Sequence, residues 1–222
     1  NRYMPLKVDP AATINMTPTT CPTGRPCLEL GIVQPTLDMT RKPVYAKKAD
    51  GSDSLTTTGQ ANFDTWFHDV AGKNLGMELP LQFVLDPADP SGKTYNFDSR
   101  TLPGGGFFPI DMKLLSPTLP AEGFGHNFSF TFELHTMFTY NKGAVFNFQG
   151  DDDVWVFINN KQVVDLGGIH DIGTKDVNLD TLGLTEGSSY PLDFFYAERH
   201  CCAANFVLST SIAFTQCGVV VK

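Results

Sequence analysis

The densest concentration of potential chemistry in this 222-residue chain is the run Gly150-Asp151-Asp152-Asp153-Val154-Trp155-Val156-Phe157-Ile158. Three carboxylates in succession repel one another, and that repulsion is costly unless water or a cation screens it. Calcium is the natural cation, because it takes several oxygen ligands at about 2.3–2.6 Å. The spacing is not that of an EF-hand, whose ligands alternate and end in a glutamate. In an extended chain neighbouring side chains point to opposite faces. Asp151 and Asp152 could then share one ion only if the peptide between them were cis, which brings the two Cα atoms to about 2.9 Å and turns both carboxylates to one side. A solvated polar turn, with Asp153 capping backbone amides, accounts for the same run equally well on residue pattern alone.

The other chemistry-bearing residues point to structure rather than reaction. Glu198-Arg199-His200 is acid–base in type, but a Glu–Arg pair inside a sheet reads as a structural ion pair. Trp155 and Phe157 alternate within a strand pattern and read as core. His170 follows Gly167-Gly168 and reads as a hydrogen-bonding group beside a turn. Gly104-Gly105-Gly106 lacks the following helix and lysine of a phosphate loop. No Gly-x-Ser-x-Gly, His-Glu-x-x-His or nucleophile–base pair is present. The chain is therefore expected not to be an enzyme, although a two-carboxylate glycosidase leaves no local signature.

Charge and composition narrow the partners. The formal net charge is −8 and no basic run exists, which argues against a phosphate-binding surface and so against nucleic acid. No apolar stretch approaches the length of a membrane helix. The chain begins with Asn1, and secretion after removal of a signal is expected. Asn15-Met-Thr and Asn127-Phe-Ser are glycosylation sequons. The five cysteines, Cys21, Cys27, Cys201, Cys202 and Cys217, form no Cys-x-x-Cys pair, so disulfides are the default reading. Cys201 and Cys202 are expected to reach different partners, because adjacent side chains diverge in an extended chain. The odd count leaves one thiol free or joined to another chain.

The elements that must position these residues are mainly strands. Hydrophobic residues make up 41% of the chain, with eighteen Phe and two Trp, a composition suited to pleated sheets around a sizeable core. From residue 127 onward the apolar period is two. Phe128, Phe130, Phe132 and Leu134 make one strand pattern, Phe146 and Phe148 a second, and Val154, Val156 and Ile158 a third. Tyr190, Leu192, Phe194 and Tyr196 make another, and Phe206, Leu208, Thr210, Ile212 and Phe214 a last one. Asn159-Asn160-Lys161 is a hairpin turn. One short helix is expected, capped by Asn62 or Asp64, with Phe63, Trp66, Phe67 and Val70 as its apolar stripe and Gly72 at its end. Residues 86–109 read as a long loop. Residues 1–60 are rich in proline and read as an extended, cysteine-clipped arm that packs on its own domain or crosses to a neighbouring copy as a strand. Residues 61–222 form the domain proper, and many short alternating strands indicate a β-sandwich.

Several longer stretches resemble the fibro-slime type of PA14 domain: Gly150 to His170, Phe107-Phe108-Pro109-Ile110-Asp111, His126-Asn127-Phe128, Phe132-Glu133-Leu134-His135, Phe194 to His200 and Phe63-Asp64-Thr65-Trp66-Phe67. They occur in order over about residues 60–215. The resemblance implies a PA14-type β-sandwich. In sugar-binding PA14 domains two adjacent aspartates joined by a cis peptide hold calcium, and those positions match Asp151 and Asp152 here. A second loop supplies an asparagine, matched by Asn205, and the calcium takes two sugar hydroxyls. Arg199 and His200 lie beside that loop and are candidate sugar contacts with Asp151 and Asp152. Cys201 and Cys202 stand where relatives carry small polar residues, which puts the sugar pocket in question more than the calcium. The resemblance thus implies an extracellular, calcium-dependent carbohydrate-binding or adhesion module whose partners are glycans of a cell surface or matrix. The alternative is a structural subunit of an extracellular fibre, a homo-oligomer polymerising through the N-terminal arm, with calcium purely structural.

Overall fold

The structure of the protein, a computed structural model, describes residues 27–114, 125–200 and 203–221. Of Cys27 and residues 215–221 it describes the backbone. The strands run in chain order as β1 (Cys27–Leu28), β2 (Met77–Glu78), β3 (Val84–Leu85), β4 (Tyr95–Asp98), β5 (Phe130–Thr139), β6 (Val145–Gly150) and β7 (Asp153–Ile158). They continue with β8 (Lys161–Leu166), β9 (Gly168–Ile169), β10 (Gly173–Asn178), β11 (Ser189–Glu198), β12 (Phe206–Thr210) and β13 (Phe214–Val221). Two antiparallel sheets face each other, one in the order β2-β13-β5-β11-β7-β8 and the other β10-β6-β12-β4-β3. This is the mainly β sandwich that the alternating sequence pattern predicts.

Period-two alternation sends one face of each strand into the space between the sheets. Phe130, Phe132 and Leu134 of β5, Val154, Val156 and Ile158 of β7, and Leu192, Phe194 and Tyr196 of β11 meet Phe146 and Phe148 of β6 and Phe206 and Leu208 of β12 there. Phe206 is the centre of this core. Its ring lies 5.1 Å from Phe97, 5.2 Å from Phe107 and 5.2 Å from Phe194, with Phe132, Phe148 and Tyr196 at 5.7–6.0 Å. Tilted and edge-on pairs at such separations are the favoured arrangement of aromatic quadrupoles.

The outer face of the six-stranded sheet is covered too. Trp155, Phe157, Phe195 and Ala197 point outward from β7 and β11 into a second core with Ile32, Val33, Leu37, Tyr45, Phe63, Trp66 and Phe67. All six residues of β7 are consequently buried. Residues 28–58 of the proline-rich segment pack on this sheet of the same chain. Leu37 N–H donates to Asn160 Oδ1 at 2.8 Å, and Gln162 N–H donates to the Pro35 carbonyl at 3.0 Å. A buried carboxylate organises the segment. Glu29 accepts from Ser54 Oγ, the Leu55 and Thr56 amides and Thr56 Oγ1, and pairs with Lys48 Nζ at 3.1 Å. Burial would raise its pKa, but hydrogen bonds from Thr56, Leu55, Ser54 and Lys48 outweigh that and hold it below the usual glutamate value.

Three local expectations are corrected. The helix α1 is one turn, Gln60–Phe63, and starts earlier than predicted, with Gly59 rather than Asn62 or Asp64 at its N-cap. It stops early because the Asn74 side chain takes the Val70 amide and donates to the Thr65 and His68 carbonyls. Those are backbone groups that a continuing helix would have paired internally. The expected loop over 86–109 contains β4, which pairs with β3 and β12. Asp89 makes the reversal possible by accepting from the amides of Ser91, Lys93 and Thr94. The apolar alternation from Phe206 to Phe214 is two strands, since the chain leaves one sheet after Thr210 and enters the other at Phe214. By contrast, Asn159 and Asn160 (φ 51° and 58°) make the two-residue turn between β7 and β8 as the sequence predicts.

A charged cluster fastens residues 41 and 42 to the outer face. His135 Nδ1 is 2.6 Å from Asp193, and its Nε2 is 3.4 Å from Glu133. Arg41 reaches Asp193 at 2.6 Å, and Lys42 pairs with Glu133. Burial lowers the His135 pKa, but the carboxylates of Asp193 and Glu133 win and leave it raised. A histidine raised in the folded state contributes stability that is full below the ordinary value of about 6.5 and is lost as pH climbs through the folded value. Melting temperature measured from pH 6 to 9 should therefore fall less steeply in His135→Gln than in the wild type. Parallel curves would show that His135 carries no linked proton.

Candidate functional site

The aspartate turn sits where β6 of one sheet hands the chain to β7 of the other. Gly150 ends β6 and Asp153 begins β7, so Asp151 and Asp152 bridge the end of the sandwich. The Asp151–Asp152 peptide is cis. All three aspartates are buried, with Asp153 fully enclosed. The close fit requires glycine at 150. A Cβ there would lie 2.6 Å from the Asn205 carbonyl oxygen, well inside any van der Waals contact.

Each carboxylate has its own partners. Asp151 accepts from the Asn205 backbone N–H at Oδ1 and from Asn205 Nδ2 at Oδ2, 3.1 Å. Asp152 accepts from the His170 amide at Oδ1 (3.2 Å) and from the Arg199 amide at Oδ2 (3.1 Å). Asp153 follows the strand alternation to the opposite side. It accepts from the Gly168 amide at 2.7 Å and from Arg199 Nη2 at 2.9 Å, and Arg199 Nε completes a two-pronged ion pair. The capping role foreseen for Asp153 is thus fulfilled on Gly168, beside a pairing that the sequence did not suggest.

Electrostatics sets the three apart. Burial pushes Asp152 well above the usual carboxylate value; the Arg199 charge opposes this, while Asp153 and Asp151 add repulsion. Asp151 is raised by burial against the hydrogen bonds from Asn205. Asp153 is also raised by burial, with Arg199 opposing. Glu198, fully buried nearby, is raised far up by burial and by the charges of Asp152 and Asp151. It accepts from Tyr196 Oη at 2.8 Å and from the His200 amide at 3.2 Å. The expected Glu198–Arg199 ion pair is therefore replaced by Asp153–Arg199. Adjacent residues at a strand end face opposite ways, and only one of the two reaches Asp153.

Of the residues singled out in the sequence, Asp151, Asp152 and Asn205 come together. Arg199 joins them through its backbone amide, while its guanidinium is buried against Asp153, the Thr56 carbonyl and the Trp66 ring, 5.0 Å from the ring centroid. His200 is half-buried at the end of β11. His170 places its ring nitrogens at the carbonyl oxygens of Asp171 (2.6 Å) and Leu166 (3.2 Å), the structural role expected of it. Asn127 is buried, and its side chain accepts from the Ser129 amide at 2.7 Å. A glycan on it would have to displace that packing. Asn15, Cys21, Cys201 and Cys202 lie outside the described residues, and Cys27 and Cys217 are described by backbone alone, opposite Ile169 and Thr136. Glu29 was missed in the sequence, and Glu198 was read there only as an ion-pair partner of Arg199. Nothing local marks Glu29, because its hydrogen-bond partners Ser54, Leu55 and Thr56 lie 25–27 residues away.

The fit to calcium can be judged from the donor set. Among the described residues no three His, Cys, Asp or Glu side chains converge as a cage. The turn instead offers two carboxylates, enough charge for one divalent ion, with an amide side chain beside them. Each carboxylate oxygen accepts one N–H and keeps a further lone pair. Orientation of ligating carboxylates by such hydrogen bonds is a general property of metal sites. The donors are all oxygen, which suits calcium rather than zinc.

The family model described as the PA14 domain matches residues 119–218. Curated relatives come from Dictyostelium discoideum. Protein psiR is 43% identical over 86% of this chain and 20% of its own length; protein psiQ is 39% identical over 85% and 20%. Protein psiD is 40% identical over 85% of this chain and 38% of its own length. The chain thus spans between a fifth and two fifths of the length of these relatives. No solved structure matches it.

Proposed function

We propose that this chain, which the PA14 domain model matches over residues 119–218, is an extracellular carbohydrate-binding or adhesion module whose ligand site is built on calcium held by Asp151 and Asp152. The observation that carries the reading is the concentration of buried carboxylate at the β6–β7 turn. Asp151, Asp152 and Glu198 are buried together, while the guanidinium of Arg199 is committed to Asp153. A divalent cation is the natural counter-charge for Asp151 and Asp152. Asn205 is the third protein ligand. Its Nδ2 donates to Asp151 Oδ2 at 3.1 Å, which keeps the amide side chain beside the two carboxylates.

Bound calcium would supply open coordination positions for a pair of vicinal sugar hydroxyls. The chain's own residues do the rest. Asp151 and Asp152 accept hydrogen bonds from those hydroxyls, and the half-buried His200, just beyond β11, is the further candidate contact. Arg199 contributes position rather than contact, because its side chain is buried. No catalytic role is assigned to the carboxylates. The fibre alternative receives less support, since residues 28–58 pack on the sheet of their own chain.

Titration calorimetry on chelator-stripped protein tests the site. One calcium per chain is expected, with a dissociation constant between about 1 μM and 1 mM, and none in Asp151→Ala/Asp152→Ala. Retention on a glycan array should then require calcium and vanish with chelator. Absence of calcium uptake by the wild type removes the reading; uptake without any glycan retention leaves calcium as a structural ion.

A further inference from the structure

Both oxygens of the Asp152 carboxylate are held by backbone amides, those of His170 and Arg199. Each amide is braced from the same direction. Behind Arg199, the guanidinium donates to the Thr56 carbonyl and lies over Trp66. Thr56 is in turn fixed by two hydrogen bonds to Glu29, from its amide (2.9 Å) and from Oγ1 (2.7 Å). Leading to His170, β9 is paired with β1, so that Leu28 lies opposite Gly168, and the Glu29 amide donates to the Gly167 carbonyl at 2.6 Å. The approach is so close that a Cβ at Gly167 would lie 2.7 Å from the Glu29 carbonyl oxygen. Gly168 then gives its own amide to Asp153. Glu29 stands on both routes, through its backbone on one and its carboxylate on the other.

We propose that residues 28–58 are the outer shell of the aspartate site, so that ion binding at Asp151–Asp152 and docking of this segment strengthen each other, with Glu29 as the positioning residue. The inference rests on the calcium reading above. Its physical content is that an ion needs the two carboxylates in one fixed orientation. A segment that fixes the orienting amides lowers the cost of binding. Loss of an outer-shell partner at a metal site typically weakens affinity about 10–100-fold. Coupling between two binding events is reciprocal, so the ion must tighten the segment by the same factor.

Glu29→Gln cannot accept from all of Ser54, Leu55 and Thr56 and loses the charge facing Lys48. Thr56→Val removes one of these bonds at constant shape. Calorimetric titration with calcium chloride should show about tenfold or greater weakening in Glu29→Gln and a smaller loss in Thr56→Val, with stoichiometry unchanged. In wild-type protein, calcium should slow hydrogen exchange at the Leu55 and Thr56 amides. A merely structural segment would lower the melting temperature in both variants and leave calcium affinity and exchange rates as in the wild type, which overturns the coupling. Should Glu29→Gln fail to fold, Thr56→Val and the wild-type exchange measurement decide alone. No uptake by the wild type would instead remove the calcium site itself, a separate failure visible before any variant is made.

Discussion

Arg199→Ala is expected to cost about 3–5 kcal/mol of folding stability, the range for removing one partner of a buried ion pair. The substitution leaves Asp153 fully enclosed with no guanidinium to answer its charge. It also leaves the Thr56 carbonyl without its Nη1 donor and removes the cation above Trp66. Arg199→Lys should recover little, because one ammonium cannot reach two carboxylate oxygens and a carbonyl in the fork geometry that a guanidinium has. Urea denaturation monitored by tryptophan fluorescence gives the number. A loss below about 1 kcal/mol, the size of an exposed pair, would show that Asp153 is comfortable without its partner.

Phe206→Ala should be comparably severe, again about 3–5 kcal/mol, for a reason that has nothing to do with charge. The side chain is fully buried and touches rings from both sheets. Truncation loses transfer free energy and leaves a cavity that surrounding strands cannot close. Against a typical total of about 5–15 kcal/mol, such a loss removes much of the margin. Val84→Ala on the exposed edge strand β3 is the control and should change stability by no more than about 0.5 kcal/mol. Similar losses in both variants would contradict a core centred on Phe206.

Much of the sandwich is legible in the sequence because half-buried strands write their geometry as alternation. Phe130-x-Phe132-x-Leu134 and Leu192-x-Phe194-x-Tyr196 do so openly. The polar strand β10, Gly-Thr-Lys-Asp-Val-Asn, does not, since it lies at the edge of its sheet and turns mostly to solvent. The short β4 is hidden by the turn residues that precede it. At the site, Asp151 and Asp152 stand out because three adjacent carboxylates are physically awkward anywhere. Their neighbours were harder to read. Which of Glu198 and Asp153 takes Arg199 depends on which way a strand end faces, and that is fixed by a register between β7 and β11 that no local pattern encodes. The outer layer was least legible, since its contacts join residues such as Thr56 and Arg199 across 143 positions.

That same separation orders events in time. On a ribosome the segment carrying Phe63, Trp66 and Phe67 is made well before β7 and β11, the strands whose outer faces receive it. At about 5–20 residues per second, several seconds pass in which these rings have no sheet to cover. The nascent chain must keep its own first layer from finding another partner while it waits for the wall on which that layer hangs. For this molecule the hazardous interval of biogenesis is thus set by the order of its sequence.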